Sequence, residues 1–307
     1  MLLRSTDSGA PSLSGETGAL YSVLKWALPQ LGWTLEFDDE ANSRAAFRNS
    51  PVNGTGDYLR IADNPTDHNG VNAKTANFRS YSAMSDVDTG TDEVGSAGWL
   101  ICKSVTTDST TRPWAIVGDS TYFFLLIAAG NNGFYQEYYF GDIASDKPGD
   151  AGAFMTQGGS PTDPGALSEP VPFPNYGSAG SPAALRFNVT GATLSQGIRY
   201  LVENFSSSTS TVTSPPGSTG PYPEPASGGI RVVDVGVQET DGIIRGRLKG
   251  LLRIMNSVHG QFSNFQVIEN QATPRGLRDC VVVNRYARPN QASNRGVLLF
   301  DTDHGDW

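Results

Sequence analysis

Thr121-Tyr122-Phe123-Phe124-Leu125-Leu126-Ile127-Ala128-Ala129-Gly130-Asn131-Asn132-Gly133-Phe134-Tyr135-Gln136-Glu137-Tyr138-Tyr139-Phe140 is the stretch whose reading decides the fold. Two apolar runs flank Asn131-Asn132-Gly133, a turn-forming triplet, and the pattern predicts a β-hairpin with strands over 121–128 and 134–140. Successive strand side chains point to opposite faces, so the rings of Tyr122, Phe123, Phe124, Tyr138, Tyr139 and Phe140 are too many for one buried face. Either both faces are covered or some rings, Tyr122 and Phe124 first among them, lie at an interface.

Working outward, further strands are expected over 34–37, 58–61, 76–81, 99–105 and 114–117, and then over 230–237, 262–268, 280–286 and 297–301. Turn formers such as Asn53-Gly54 and Gly118-Asp119 separate them. One helix is expected over 12–31, with Ser14 as its cap, Glu16 in its first turn, and Pro29 and Gly32 as its stop. Leu20, Val23, Leu24, Ala27 and Leu28 recur at helical spacing, so this face packs either on the β core or on a neighbouring subunit. Leu20 and Leu24 are therefore candidate interface residues.

Residues 145–229 differ in character, being dominated by Gly, Pro, Ser, Thr and Ala, with ordered pieces expected only at 185–189 and 198–202. A loop so long suggests an interaction arm whose anchors would be Phe173, Tyr176, Leu185, Phe187 and Tyr200. The expected organisation is a helix plus β domain over 1–145, a loop-rich arm or insertion over 146–229, and a C-terminal β region over 230–307 packing with the first. The fold class is mainly β, of sandwich or barrel-like domains with one N-terminal helix and long Gly/Pro/Ser-rich loops.

Composition limits the function classes. Charged residues make up 17% of the 307, and 35 Gly with 19 Pro favour short strands and turns. A net charge of −9 offers no basic face for phosphates, so direct nucleic-acid binding is not expected. Met1-Leu2-Leu3-Arg4-Ser5-Thr6-Asp7 turns polar too soon for a signal peptide, and no apolar run reaches the ~18 residues of a membrane span. Folding in the cytoplasm of the producing cell is expected. Cys102 and Cys280 stand far apart outside any CxxC spacing and read as buried free thiols.

The best metal candidate is the acidic run Asp86, Asp88 and Asp92 around Gly90, which resembles the start of a calcium loop. Its twelfth position is Ala97 where a bidentate acid is needed, so a solvated turn is the simpler reading. Asp301, Asp303, His304 and Asp306 read as a polar chain end, and His68 and His259 stand without partners at useful spacing. No nucleophile elbow, phosphate loop or dinucleotide fingerprint occurs. The expectation is a protein that is no enzyme and uses no cofactor.

The opening Leu3-Arg4-Ser5-Thr6-Asp7-Ser8-Gly9-Ala10-Pro11-Ser12-Leu13-Ser14-Gly15 resembles a family of virion structural proteins encoded in the tail modules of tailed bacteriophages. The likeness continues at Ala46-Phe47-Arg48, Tyr58-Leu59-Arg60, Met84-Ser85-Asp86-Val87-Asp88-Thr89-Gly90, Arg112-Pro113-Trp114 and Phe140-Gly141-Asp142. It resumes at Ile244-Arg245-Gly246-Arg247-Leu248-Lys249-Gly250-Leu251, where similar proteins tend to carry Pro in place of Lys249, and at Asp306-Trp307. The middle of the chain does not share it. The resemblance implies a particle component assembled in the host bacterial cytoplasm, with tail, baseplate or neck as its place. Its partners would be other virion proteins and copies of itself in a homo-oligomer, and Trp307 joins the candidate interface residues. The alternatives are a receptor- or glycan-binding fibre-tip module, a capsid-surface decoration protein, and a cell-wall hydrolase of the tail.

Overall fold

A strand pair whose bulky apolar residues point to both faces can be satisfied only by cover on both, and the fold is organised around that requirement. In the computed structural model, residues 1–67, 73–130, 135–157, 183–191, 199–201, 230, 232–239, 242–254, 262–284 and 297–302 are described. The chain is mainly β, built of antiparallel sheets with one helix near the N-terminus. A six-stranded sheet runs in the order Leu2–Arg4, Trp114–Gly118, Tyr122–Ile127, Gln136–Asp142, Phe154–Gln157 and Ala183–Leu185. The hairpin forms as its pattern predicts, with Tyr122 opposite Gly141 and Ile127 opposite Gln136. Its turn lies outside the described residues.

Side-chain alternation divides this central sheet cleanly. Phe123, Leu125, Ile127, Tyr138 and Phe140 face one way, into a core shared with the helix and with Phe47, Leu59, Ile61, Phe78 and Ile101. Those partners come from a five-stranded meander, Thr34–Asp39, Arg44–Arg48, Tyr58–Ala62, Thr75–Tyr81 and Val94–Cys102, here called the N-terminal sheet. Tyr122, Phe124, Leu126 and Tyr139 face the other way, against Val235, Val237, Leu248, Leu251, Val283 and Phe300. These belong to the C-terminal sheet, ordered Arg199–Leu201, Val232–Gln238, Ile244–Ile254, Val297–Asp301, Gly276–Asn284 and Val267–Thr273, with Ala144–Ser145 also pairing to Ile244–Ile254. The result is a sandwich of three layers. Edge-to-face contacts such as Phe124 on Phe300 (4.8 Å) and Phe78 on Phe140 (5.1 Å) fill both interfaces.

The helix is shorter than its sequence suggests, spanning Ala19–Ala27 and passing into a 3-10 turn, Leu28–Leu31, that holds Pro29 and ends at the left-handed Gly32. Ser14 does not cap it. Gly18 stands at the N-terminus, and the free amides of Leu20 and Tyr21 are met by the side chain of Asp63, which arrives from the N-terminal sheet. A cap supplied from 43 residues away leaves no local trace. Residues 12–18 are not helical: Leu13 bridges to Arg112, and 15–18 bend and turn into the helix. Leu20, Leu24 and Leu28 are buried on the β core, which is the intramolecular alternative of the two weighed for this face.

Other boundaries move for identifiable reasons. Among the strands that escaped the sequence reading are Arg44–Arg48, whose alternation is hidden by Ala45-Ala46, and the eleven-residue Ile244–Ile254, whose apolar residues are interrupted by arginines and glycines. The strand expected over 99–105 ends at Cys102, and that expected over 262–268 lies at Val267–Thr273. Within the segment taken as an arm, Phe154–Gln157 and Ala183–Leu185 are strands of the central sheet, because each offers apolar side chains to its two cores. The remainder of 158–182 and 192–198, and 202–229, lies outside the described residues.

Ile244–Ile254 departs from its partner's register between Arg247 and Leu252. The excursion turns Lys249 inward to donate to Thr121 Oγ1 (3.0 Å), and Gly250 takes a φ of +71°. A Cβ on Gly250 would stand 2.3 Å from the Tyr122 hydroxyl, so Gly250 is required twice over.

Two stability measurements follow from this packing. Leu24→Ala is expected to cost ~2–5 kcal/mol in urea denaturation, as truncations in closed cores do; an unchanged midpoint would mean the helix face is not core. Gly250→Ala is expected to cost at least ~1–3 kcal/mol from backbone strain alone, whereas Gly149→Ala, which meets nothing within 4 Å, isolates the strain without the clash.

Candidate functional site

The acidic run around Gly90 folds as a hairpin of Ala83–Asp86 and Thr89–Thr91. Its three aspartates are spent separately. Asp86 accepts from the adjacent Val87 amide (2.7 Å), Asp92 from the Ser82 hydroxyl (2.6 Å), and Asp88 is gripped by Arg44 (2.6 Å) and Arg60. Two guanidiniums on one carboxylate supply the charge a cation would bring, and the weak metal candidates Asp86, Asp88 and Asp92 stand in a turn, the simpler of the two readings weighed for them. Among the described residues, no group of three or more His, Cys, Asp or Glu is placed to hold a metal ion.

The interface candidates separate into two sets. Leu20, Leu24, Tyr122 and Phe124 have no exposure, so none offers a surface to a partner, the layers of the chain itself having taken them up. Phe173, Tyr176 and Trp307 lie outside the described residues, and Tyr200 stands in Arg199–Leu201, opposite Val237. His68, His259 and His304 also lie outside them, as do Asp303 and Asp306. Cys102 and Cys280 are buried free thiols, and burial pushes the Cys102 thiol up to about 11, away from reactivity.

Sequence reasoning missed a set of charges enclosed between the layers. Asp63 and Lys103 pair with no exposure on either side chain. Arg186, just after the last strand of the central sheet, reaches Asp57 (2.6 Å) and the Asp92 carbonyl (2.6 Å) and lies over the Phe154 ring. Arg245 joins Asp150 (2.6 Å) to Glu239, tying the C-terminal sheet to the loop at 150. Asp142 accepts from Asn49 (3.0 Å), the Thr55 hydroxyl (2.7 Å) and the Thr55 amide (2.8 Å), pinning the turn 49–55 to the central hairpin. Apart from Glu239 and Arg245, six residues apart, partners in these clusters are distant in the chain, up to 129 residues for Asp57 and Arg186, so no spacing rule could find them.

Burial dominates their titration. It pushes Asp57 up to about 6 although the Arg186 guanidinium pulls it down, and it raises Asp63 to about 6 against Lys103 and the helix amides. Lys103 is held below the ordinary lysine value by the same desolvation, with Asp63 opposing. Asp150, caught by Arg245 and Ser145 in a less buried place, is lowered despite some desolvation.

On the outside, Ile243, Ile244, Val267 and Leu277 are exposed large apolar side chains on or beside the C-terminal sheet, Leu277 at 66%. Val267–Thr273 is an edge strand with a bulge between Ile268 and Gln271, where Asn270 takes a left-handed φ of 51° and its amide donates to Asp279 (2.9 Å). Bulged edges resist indiscriminate strand pairing. No helix of the described residues is long and apolar enough to cross a membrane. No protein-family model matches the chain, and no curated protein matches it.

The Asp57 pair gives a signed pH dependence. Its folded value of about 6 exceeds the ordinary 3.8, so the stability it contributes is fully present below 3.8 and is lost as pH rises through 6. Denaturation from pH 4 to 7 is expected to show this decline, and Asp57→Asn to remove its share of the slope. Parallel curves for the two proteins would refute the assignment.

Proposed function

We propose that this chain is a non-catalytic structural component of a tailed-phage particle, placed in the tail, baseplate or neck and working through interfaces with other virion proteins and with copies of itself. The ordered run of sequence blocks that resemble tail-module virion proteins suggests the class. The enclosure of the aromatic hairpin on both faces is the observation that carries the assembly role. A receptor- or glycan-binding module would present such rings in a shallow groove, and here Tyr122, Phe123, Phe124, Tyr138, Tyr139 and Phe140 are all buried.

The blocks of resemblance also fall on fixtures of the fold. Arg112 is held by the Ser104 (3.0 Å) and Thr106 (2.8 Å) hydroxyls, Asp142 pins the turn 49–55, and Lys249-Gly250 forms the inward excursion of the C-terminal sheet. Residues that join layers are those a shared architecture needs. Outside, the exposed apolar side chains of the C-terminal sheet supply modest contact area, which repetition over many copies in a particle multiplies.

Peptide mass spectrometry of density-purified particles, with immunogold labelling against this chain, tests the reading. The chain is expected in the particles at stoichiometric copy number, with label at the tail or its junctions. Its absence from purified particles contradicts the proposal, and label confined to fibre tips or to the capsid surface moves the chain to one of those roles.

A further inference from the structure

Asp63 and Lys103 are brought together by the meander. Asp63 follows Tyr58–Ala62 and Lys103 follows Val94–Cys102, two strands that run in the same direction with Thr75–Tyr81 between them, so both residues leave the same end of the sheet. Strands two places apart are separated by ~10 Å, a gap that a lysine and an aspartate side chain together span. Both side chains have no exposure. Asp63 Oδ1 accepts from Lys103 Nζ, while Oδ2 accepts from the backbone amides of Leu20 (2.7 Å) and Tyr21 (3.3 Å) at the start of the helix. Lys103 Nζ also donates to the Glu16 carbonyl. The amine is thus fixed on one oxygen of a carboxyl whose other oxygen sits in a pair of N–H donors.

We propose that Lys103 and Asp63 condense to an intramolecular isopeptide bond, which makes this pair a self-modifying covalent crosslink. One ammonium proton passes to Oδ1, leaving a neutral amine beside a neutral acid. The Nζ lone pair attacks Cγ, the Nζ–Cγ bond forms, and the carbonyl electrons move onto Oδ2, where the Leu20 and Tyr21 amides hold the developing charge. The Cγ–Oδ1 bond then breaks as Oδ1 takes a second Nζ proton and leaves as water. The third proton stays on the new amide nitrogen. Atoms balance as one amide and one water, with nothing oxidised or reduced.

Three features favour the step here over the same pair in water. Confinement replaces an encounter by a fixed contact, the largest advantage an intramolecular reaction has. Desolvation moves both groups toward the neutral forms that react, raising Asp63 and lowering Lys103. The product also removes two buried charges and keeps the remaining hydrogen bonds, since Oδ2 retains its two amides and the new N–H retains the Glu16 carbonyl. The crosslink would close the loop between residues 63 and 103 and fasten the helix start to the sheet, so that opening this end of the N-terminal sheet would require breaking a covalent bond.

The test is the denatured mass of the purified full chain, followed by peptide mapping. The wild type is expected to be lighter than its sequence mass by one water, with a branched peptide joining the Asp63 and Lys103 segments and no tryptic cut after Lys103. Lys103→Met is expected to recover the full mass, and because the measurement is made in denaturant it does not depend on how well the variant folds. A wild-type mass equal to the sequence mass overturns the proposal. So does a water loss that persists in Lys103→Met or maps elsewhere, for instance to a succinimide at Asp241-Gly242.

Discussion

The constraint on which the rest depends is that Tyr122–Ile127 and Gln136–Asp142 carry apolar or aromatic side chains toward both faces of one sheet. Exposing either face would leave several rings in water at ~25 cal/mol per Å² of apolar surface. The chain therefore has to deliver a second and a third layer to the same hairpin. It does so from both directions: the helix and N-terminal sheet come from the residues before it, and the C-terminal sheet from those after it. The first strand, Leu2–Arg4, closes the outer edge of the central sheet beside Trp114–Gly118.

Layers made from distant segments need to be held in register, and the buried charges do this with directional bonds. Each cluster joins pieces that no local element connects: Asp63 with the helix start and Lys103, Arg186 with Asp57 and Asp92, Arg245 with Asp150 and Glu239, and Asp142 with Asn49 and Thr55. Such pairs add little net stability relative to apolar packing, but they penalise every alternative arrangement that would leave a charge buried alone. A chain of low charge content thus places a notable part of its charge inside, and leaves an acidic exterior with several apolar side chains exposed on or beside the C-terminal sheet. That distribution suits a subunit whose work is done by contact.

Much of the fold was legible because it follows apolar patterning along the chain. The hairpin and the strand Val297–Asp301 are written in continuous apolar runs and the helix face in 3.6-residue spacing, and they fold so. What stayed hidden depends on long-range partners. Ser14 looked like the helix cap because it stands where a local cap should, yet Asp63 takes that role from another layer. Ile244–Ile254 was not anticipated because Gly246 and Gly250, which accommodate close neighbours, and Arg245 and Lys249, turned inward to buried acceptors, interrupt its apolar pattern. Tyr122 and Phe124 were interface candidates for want of any way to see, from the sequence alone, that a C-terminal sheet would cover them. The carboxylates of Asp86 to Asp92 read more simply as a turn than as a cation loop, but the claim of Arg44 and Arg60, from other strands, on Asp88 had no local sign.

Native-state hydrogen exchange on the full chain tests the central claim most directly. If the hairpin is the doubly covered middle of a three-layer stack, the amides of Phe123–Ile127 and Tyr138–Phe140 should exchange only through global unfolding, more slowly than those of the edge strand Val267–Thr273 and with the full denaturant dependence of the unfolding transition. Exchange of the hairpin amides as fast as those of that edge strand, or with a weak denaturant dependence, would show that one of its faces opens locally, and the three-layer account would be wrong.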